Sequence, residues 1–279
     1  MELLDGKKVR SELLEELKED IEGIDRPLGL TVIQVGEDPG STVYVGQKKK
    51  LAESLGYNFN HIDLDENIEE KELISIIDKL NEDDKVDGII VQMPIPKHLD
   101  SKKIQNRVLP EKDVDGLTDI NMGRLVHNVD SLVPCTPSGI IEILNKYNIE
   151  IKGKNVVIIG RSDLVGKPLA NLFLNNDATV TVCHSKTNNL IDICKTADIL
   201  VAAIGKSKFI TSDYIKEDAV VIDVGINRGE DGKLSGDVDF EDVKDEVSYI
   251  TPVPGGVGPM TVAELMKNTY KAHMIKNKK

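Results

Sequence analysis

The chain is poor in cysteine and histidine, its acids outnumber its bases, and it has no long apolar run. Its three cysteines, Cys135, Cys183 and Cys194, form no CxxC pair and are odd in number. A disulfide framework is therefore not expected, which fits a reducing compartment. The five histidines are scattered, with no HExxH and no paired metal spacing, so no protein-built metal site is expected. The net charge of −13 argues against broad nucleic-acid binding, which needs a basic face. Small anionic ligands stay possible, because a few local cations can hold them. No run approaches the ~20 apolar residues of a membrane span, and "MELLDGKKVR" lacks the charged-then-apolar layout of a signal peptide. A cytoplasmic protein without membrane or nucleic-acid partners is expected. The basic tail "KAHMIKNKK" reads as a solvated end.

What is present is an alternation of apolar β-rich runs and helical patterns. The 279 residues, 40% of them hydrophobic, suffice for one large domain or two smaller ones. "LGLTVIQVG" reads as a buried strand and is followed by a helix from about Ser41, a plausible N-cap, to Leu55. "YNFNHIDL" reads as a strand, "IEEKELISIIDKL" as an amphipathic helix and "DGIIVQMPIP" as a strand ended by prolines. This β-α-β-α-β order favours a parallel sheet. Beyond residue 110 the chain turns irregular, then a helix over 137–146 opens a second alternating series. Its strands are "NVVIIG", "ATVTVCHS", "ADILVAAIG", "AVVIDVG" and "VSYITPVP", and a final helix runs from Met260 to about Ala272. The reading is α/β, with two lobes and a possible cleft. Ligands in such sheets sit beyond the carboxyl ends of the strands.

"VVIIGRSDLVGKP" combines a strand, a glycine turn and a helix start, where backbone N–H groups can cradle a pyrophosphate. It departs from GxGxxG: Gly160 and Gly166 are present, but Ser162 replaces the middle glycine. NAD enzymes usually carry an acid at the end of the next strand, roughly 20 residues on. Here His184, Ser185 and Lys186 stand there instead. Without an acid to repel a 2′-phosphate, Ser185 and Arg161 can donate to it, so NADP is expected over NAD.

In "STVYVGQKKK", Tyr44 and Lys48 share a helix face. An ordinary solvated face explains an isolated YxxxK most simply. The short-chain dehydrogenase arrangement has the wrong order, because there the glycine loop precedes the pair. The third reading has Tyr44 stacking on a flat ring and Lys48 moving protons. It needs polar company, which Gln92 after "GIIV" and Asp115 in "KDVDG" can supply.

The motifs "YVGQK", "VQMPIP", "EKDVDGL", "PCTP", "GRSDLVGKP", "CHSKT", "VIDVGIN" and "ITPVPGGVGPMTVAEL" occur in this order across essentially the whole chain. In this the sequence resembles the bifunctional methylenetetrahydrofolate dehydrogenase/cyclohydrolase family. The resemblance implies oxidation of 5,10-methylenetetrahydrofolate with NADP⁺ and hydrolysis of the 5,10-methenyl product to 10-formyltetrahydrofolate, by a homodimer. It implies a folate-binding catalytic domain over 1–120 with a returning helix 260–279, a linker 121–135 and a Rossmann-like NADP domain over 136–259. Lys48, Tyr44, Gln92 and Asp115 (rather than Asp113) are implied as catalytic. The substrate is implied to meet these and Val91, Met93, Pro254, Gly255 and Gly256. Gly160, Arg161, Ser162, Ser185 and Ile226 are implied as cofactor contacts. Met93 stands where the family commonly has Leu, a mild swap. Two alternatives remain: a dehydrogenase of this family lacking the second activity, and a non-catalytic NADP-binding sensor.

Overall fold

The computed structural model describes residues 1–229 and 232–277; the last two residues of the basic tail lie outside them. The chain divides into two compact units, Met1–Leu13 with Thr136–Thr261, and Leu14–Cys135 with Val262–Lys279.

The second unit is built on a three-stranded parallel sheet with Gly29–Val35 between Asn58–Leu64 and Gly88–Val91. Every residue of the central strand is buried, as expected for a parallel strand covered on both faces. Alternation sorts its side chains. Leu30 and Val32 pack with Val45, Leu51 and Ala52 of the helix Pro39–Ser54, and with Val262, Leu265 and Met266 of the C-terminal helix. Ile33 and Val35 pack on the other side with Leu73 and Ile77 of the helix Glu70–Glu82. Truncating such a fully buried Leu or Ile to Ala typically costs about 2–5 kcal/mol.

The first unit holds a six-stranded parallel sheet in the order Glu2–Leu3, Tyr249–Ile250, Val220–Asp223, Ile199–Ala202, Asn155–Ile159, Thr179–Cys183. Its core gathers Val157, Ile159, Leu200, Ala202, Val221 and Ile250.

The structure departs from the sequence reading in several places. The first strand joins the six-stranded sheet, so residues 1–13 do not count with the unit that holds residues 14–120. The helix Gly6–Ile21 has no counterpart in the sequence reading. Residues 121–135 are not a separate linker: they count with the second unit, and Asp119–Val126 is helical. The N-cap of the helix Pro39–Ser54 is Asp38, whose Oδ2 accepts from Ser41 N at 2.7 Å. The C-terminal helix spans Val257–Asn277, and its basic end is docked rather than solvated. Lys271 Nζ donates to Ser131 O at 2.8 Å, Lys276 Nζ donates to Asp84 O at 2.7 Å, and His273 Nδ1 lies 3.1 Å from Asp87 Oδ1.

Candidate active site

In the second unit the helix Pro39–Ser54 turns Val45, Leu51 and Ala52 into the core. That leaves Tyr44 on an outer face, 45% exposed, with the half-buried Lys48 one turn on. The strand Gly88–Val91 delivers Gln92, whose backbone N–H still donates to Ile33 O at 2.8 Å. Gln92 Nε2 donates to Met93 O at 2.8 Å, and its Oε1 accepts from Lys48 Nζ at 2.8 Å. Ser41 Oγ also donates to Met93 O, at 3.3 Å. Val91 itself is buried among Ile33, Leu73 and Ile77, so its side chain belongs to the core and only its backbone is available to a ligand.

The segment "KDVDG" lies beside the same strand, with Ile89 N donating to Lys112 O at 2.8 Å. Gly88 is required here, because a Cβ would fall 2.7 Å from Val114 Cγ1. The two aspartates differ sharply. Asp113 is buried and accepts from Thr118 N at 2.8 Å and Asn121 Nδ2 at 2.9 Å. Burial pushes its carboxyl above the ordinary range. Asp115 is half-buried, with Oδ1 3.9 Å from Cys135 Sγ. Burial raises the Cys135 thiol well above its usual value, and the charges of Asp115 and Glu264 push it the same way while Lys48 opposes them. Lys48, Asp115, Cys135 and Glu264 thus share one electrostatic neighbourhood. Cys135, Glu264 and Asn268 were not among the expected site residues. Asn268 Nδ2 donates to Val114 O at 2.9 Å and Val133 O at 2.8 Å, tying the two segments that carry Asp115 and Cys135.

In the first unit the strand Asn155–Ile159 leads into Gly160, at φ +133°, where a Cβ would meet Ala203 O at 2.2 Å. A Cβ on Gly166 would meet Gly160 O at the same distance. Both glycines are therefore needed for the tight strand-to-helix turn. Ser162 has a role of its own: its Oγ accepts from Val165 N at 3.1 Å, within the turn that leads into the helix Gly166–Asn175. Its hydroxyl thus takes a backbone N–H that a glycine could not bond. Arg161, Ser162, Ser185 and Lys186 are all exposed, and Ser185 follows the strand Thr179–Cys183 with His184 between them. This donor set, without an acid at the second strand's end, fits a dinucleotide bearing a 2′-phosphate.

Ile226 is half exposed, after the strand Val220–Asp223. Pro254, Gly255 and Gly256 lie in this same unit, not in the one that holds Lys48. Gly255 has φ +115°, and a Cβ on Gly6 would overlap Gly256 O at 1.8 Å, so the helix Gly6–Ile21 starts directly against this loop.

Two family models match the chain. Residues 4–115 match the tetrahydrofolate dehydrogenase/cyclohydrolase catalytic domain, and residues 134–277 match the NAD(P)-binding domain of the same family. The chain belongs to the tetrahydrofolate dehydrogenase/cyclohydrolase family. The bifunctional protein FolD of Ligilactobacillus salivarius is 54% identical to it over 276 residues, covering 96% of this chain and 95% of that one. The solved structure of bifunctional FolD from Campylobacter jejuni is 45% identical, with a TM-score of 0.97 and 99% of each chain covered. A FolD structure from Trypanosoma brucei, complexed with NADP cofactor and inhibitor, is 38% identical, with a TM-score of 0.88, covering 98% of this chain and 96% of that one. For this family member the catalytic-domain match contains Tyr44, Lys48, Gln92 and Asp115, and the NAD(P)-domain match contains Gly160, Arg161, Ser162, Ser185 and Ile226. Among the described residues no helix is long and apolar enough to cross a membrane.

Proposed function

We propose that this protein runs two successive steps on one folate. It oxidises 5,10-methylenetetrahydrofolate to the 5,10-methenyl cation and then adds water to give 10-formyltetrahydrofolate. The observation that carries this reading is the Lys48 Nζ to Gln92 Oε1 bond of 2.8 Å, in the part of the chain that matches the family's catalytic domain. Gln92 is held through its own nitrogen by Met93 O, so its oxygen orients the lysine. Lys48 takes a proton from the water that attacks the methenyl carbon. The added hydroxyl then gives up its proton to become the formyl oxygen as the carbon–N5 bond breaks, N5 takes up a proton, and the formyl group stays on N10. Asp115 accepts from the adjacent N–H donors of the pterin, and Tyr44 stacks on its ring.

NADP⁺ supplies the hydride acceptor of the first step. Arg161 and Ser185 donate to its 2′-phosphate, which sets the preference over NAD⁺. Gly160 lets the backbone turn closely enough to receive the dinucleotide.

The protein acts in the cytoplasm as a homodimer. The strand Thr179–Cys183 ends the six-stranded sheet with Val182 exposed, an edge suited to a second copy. Light scattering that gives one chain's mass at working concentration would remove the dimer.

The deciding assay supplies methylenetetrahydrofolate with NADP⁺ or NAD⁺ and follows reduced nicotinamide and methenyltetrahydrofolate as separate signals. NADPH without methenyl build-up is expected. Methenyl accumulating in step with NADPH would mean a dehydrogenase alone. Neither signal would leave a dinucleotide-binding sensor.

A further inference from the structure

The geometry points to Asp237 as a positioning residue for dinucleotide binding: its carboxylate gathers two neighbouring loops beyond the carboxyl ends of the sheet without touching the cofactor. The inference rests on the NADP-dependent reading above and goes beyond it, since neither Asp237 nor its partner Asp223 belongs to the proposed contact set.

The strands Ile199–Ala202 and Val220–Asp223 are adjacent and parallel, with Ala202 opposite Asp223. The loops that follow them occupy the end of the sheet where α/β folds bind ligands. In the first loop three successive backbone N–H groups converge on one side chain. Ile204 N and Gly205 N donate to Asp237 Oδ2 at 2.7 and 3.0 Å, and Lys206 N donates to Oδ1 at 2.8 Å. Such a run of N–H groups makes a natural anion cradle, and here the protein's own carboxylate fills it. From the second loop Asn227 Nδ2 donates to Oδ1 at 3.0 Å. One side chain therefore ties both loops together.

Asp223 holds Asp237 in turn. Its Oδ1 accepts from Asp237 N at 2.9 Å and Gly225 N at 3.0 Å, and its Oδ2 accepts from Val238 N at 3.0 Å. Asp223 N donates to Thr251 Oγ1 at 2.7 Å, which extends the network to the start of the proline-glycine loop. Glycine is needed on both flanks. A Cβ on Gly225 would lie 2.2 Å from Asp237 Oδ1, and one on Gly236 would lie 1.7 Å from Asp223 Oδ2.

Burying two carboxylates side by side is expensive. An apolar core would hold a sheet together at lower cost, so the arrangement calls for a return. That return is loop geometry. Ile226 sits between Gly225, bonded to Asp223, and Asn227, bonded to Asp237, so its backbone is held from both sides while its side chain stays half exposed. Loops held before the ligand arrives need less ordering on binding.

In Asp237→Asn an amide NH₂ replaces one oxygen and faces two N–H donors whichever way it turns. Asn227→Ala is milder and removes only the link to the second loop. The test titrates NADP⁺ calorimetrically into wild type and both variants, and measures both folate activities. We expect the NADP⁺ Kd to rise at least tenfold in D237N and about threefold in N227A, with hydrolysis of supplied methenyltetrahydrofolate staying within twofold of wild type. Wild-type Kd in N227A, or in a folded D237N, overturns the inference. So does a parallel fall of hydrolysis and NADP⁺ affinity in N227A, which would mean that the network only supports the fold. Wild type that neither binds NADP⁺ nor turns over folate would instead overturn the reading beneath it.

Discussion

Lys48 Nζ donates to Gln92 Oε1 at 2.8 Å, while Gln92 Nε2 donates to Met93 O at the same distance. The amide is held at both ends, so it presents oxygen rather than nitrogen to the lysine. That geometry ties the lysine to one partner, which a merely solvated ammonium does not need, and it is what the proposed role of Lys48 as general base rests on.

Lys48→Met should therefore lower methenyltetrahydrofolate hydrolysis by about 10²–10⁴, the range for removing a general base. Gln92→Met, which keeps the lysine but frees it, should lose less. The decay of the methenyl absorbance reads both variants. Hydrolysis at the wild-type rate in K48M removes the lysine from the mechanism.

Arg161→Ala should narrow the preference for NADP⁺ over NAD⁺. A hydrogen bond to a charged group contributes about 1.5–3 kcal/mol, so the ratio of kcat/KM values should fall roughly ten- to a hundredfold, chiefly through weaker NADP⁺ use. Initial rates with each cofactor give the ratio. An unchanged ratio assigns the 2′-phosphate to other groups.

Much of the candidate site's local layout was legible in the sequence because its signals are local. Tyr44 and Lys48 are one helical turn apart, Gln92 follows its strand directly, and Gly160 opens its turn. The buried strand 28–36 and the helix after it were readable from apolar runs and a cap signal, although the cap proved to be Asp38 rather than Ser41. What stayed hidden depends on distant pairing. The strand Glu2–Leu3 has too few residues for a pattern and exists only through its partner Tyr249–Ile250. Asn268 reads as one polar residue on a helix, yet it holds Val114 O and Val133 O. Asp223 reads only as part of the strand "AVVIDVG", and its bond from Asp237 N joins residues 14 apart in the chain. The tail looked solvated because its lysines and histidine find their partners near residues 84–87 and 131.

Asp87 meets that tail through His273. Its side chain is fully buried and accepts Arg26 Nη1 and Nη2 at 2.8 and 2.6 Å, Gly29 N at 2.8 Å, and a contact from His273 Nδ1 at 3.1 Å. Burial pushes its carboxyl upward, but the Arg26 bonds and the Gly29 N–H outweigh this and hold it below the ordinary range. Its stabilisation is therefore present above the unfolded pKa and is lost as pH falls through the folded one. Asp87→Ala leaves Arg26 and a backbone N–H without their acceptor and should destabilise by about 3–5 kcal/mol. Urea denaturation at neutral pH measures this. A loss under about 1 kcal/mol, the scale of an exposed ion pair, would mean that the Arg26–Asp87 pair contributes no more than a surface one.

Asp223 should give the opposite pH trend. Burial pushes its carboxyl up to about 6, the three backbone N–H groups pull it back, and the neighbouring Asp237 charge adds to the rise. Unfolded, the same group titrates at about 3.9. The native state thus binds the proton more tightly, so the stability linked to it is full below about pH 4 and is lost as pH rises through about 6. The two limits differ by about 3 kcal/mol at roughly 1.36 kcal/mol per pH unit. Asp223→Asn removes this titration and, by setting an NH₂ against backbone donors, should lower stability across the range. Chemical denaturation of both proteins at half-unit steps from about pH 4 to 7 separates the effects. The wild-type advantage over D223N should shrink as pH rises from about 4 to 6. An advantage that stays constant or grows over that interval would show that the backbone donors, not burial, govern this carboxyl.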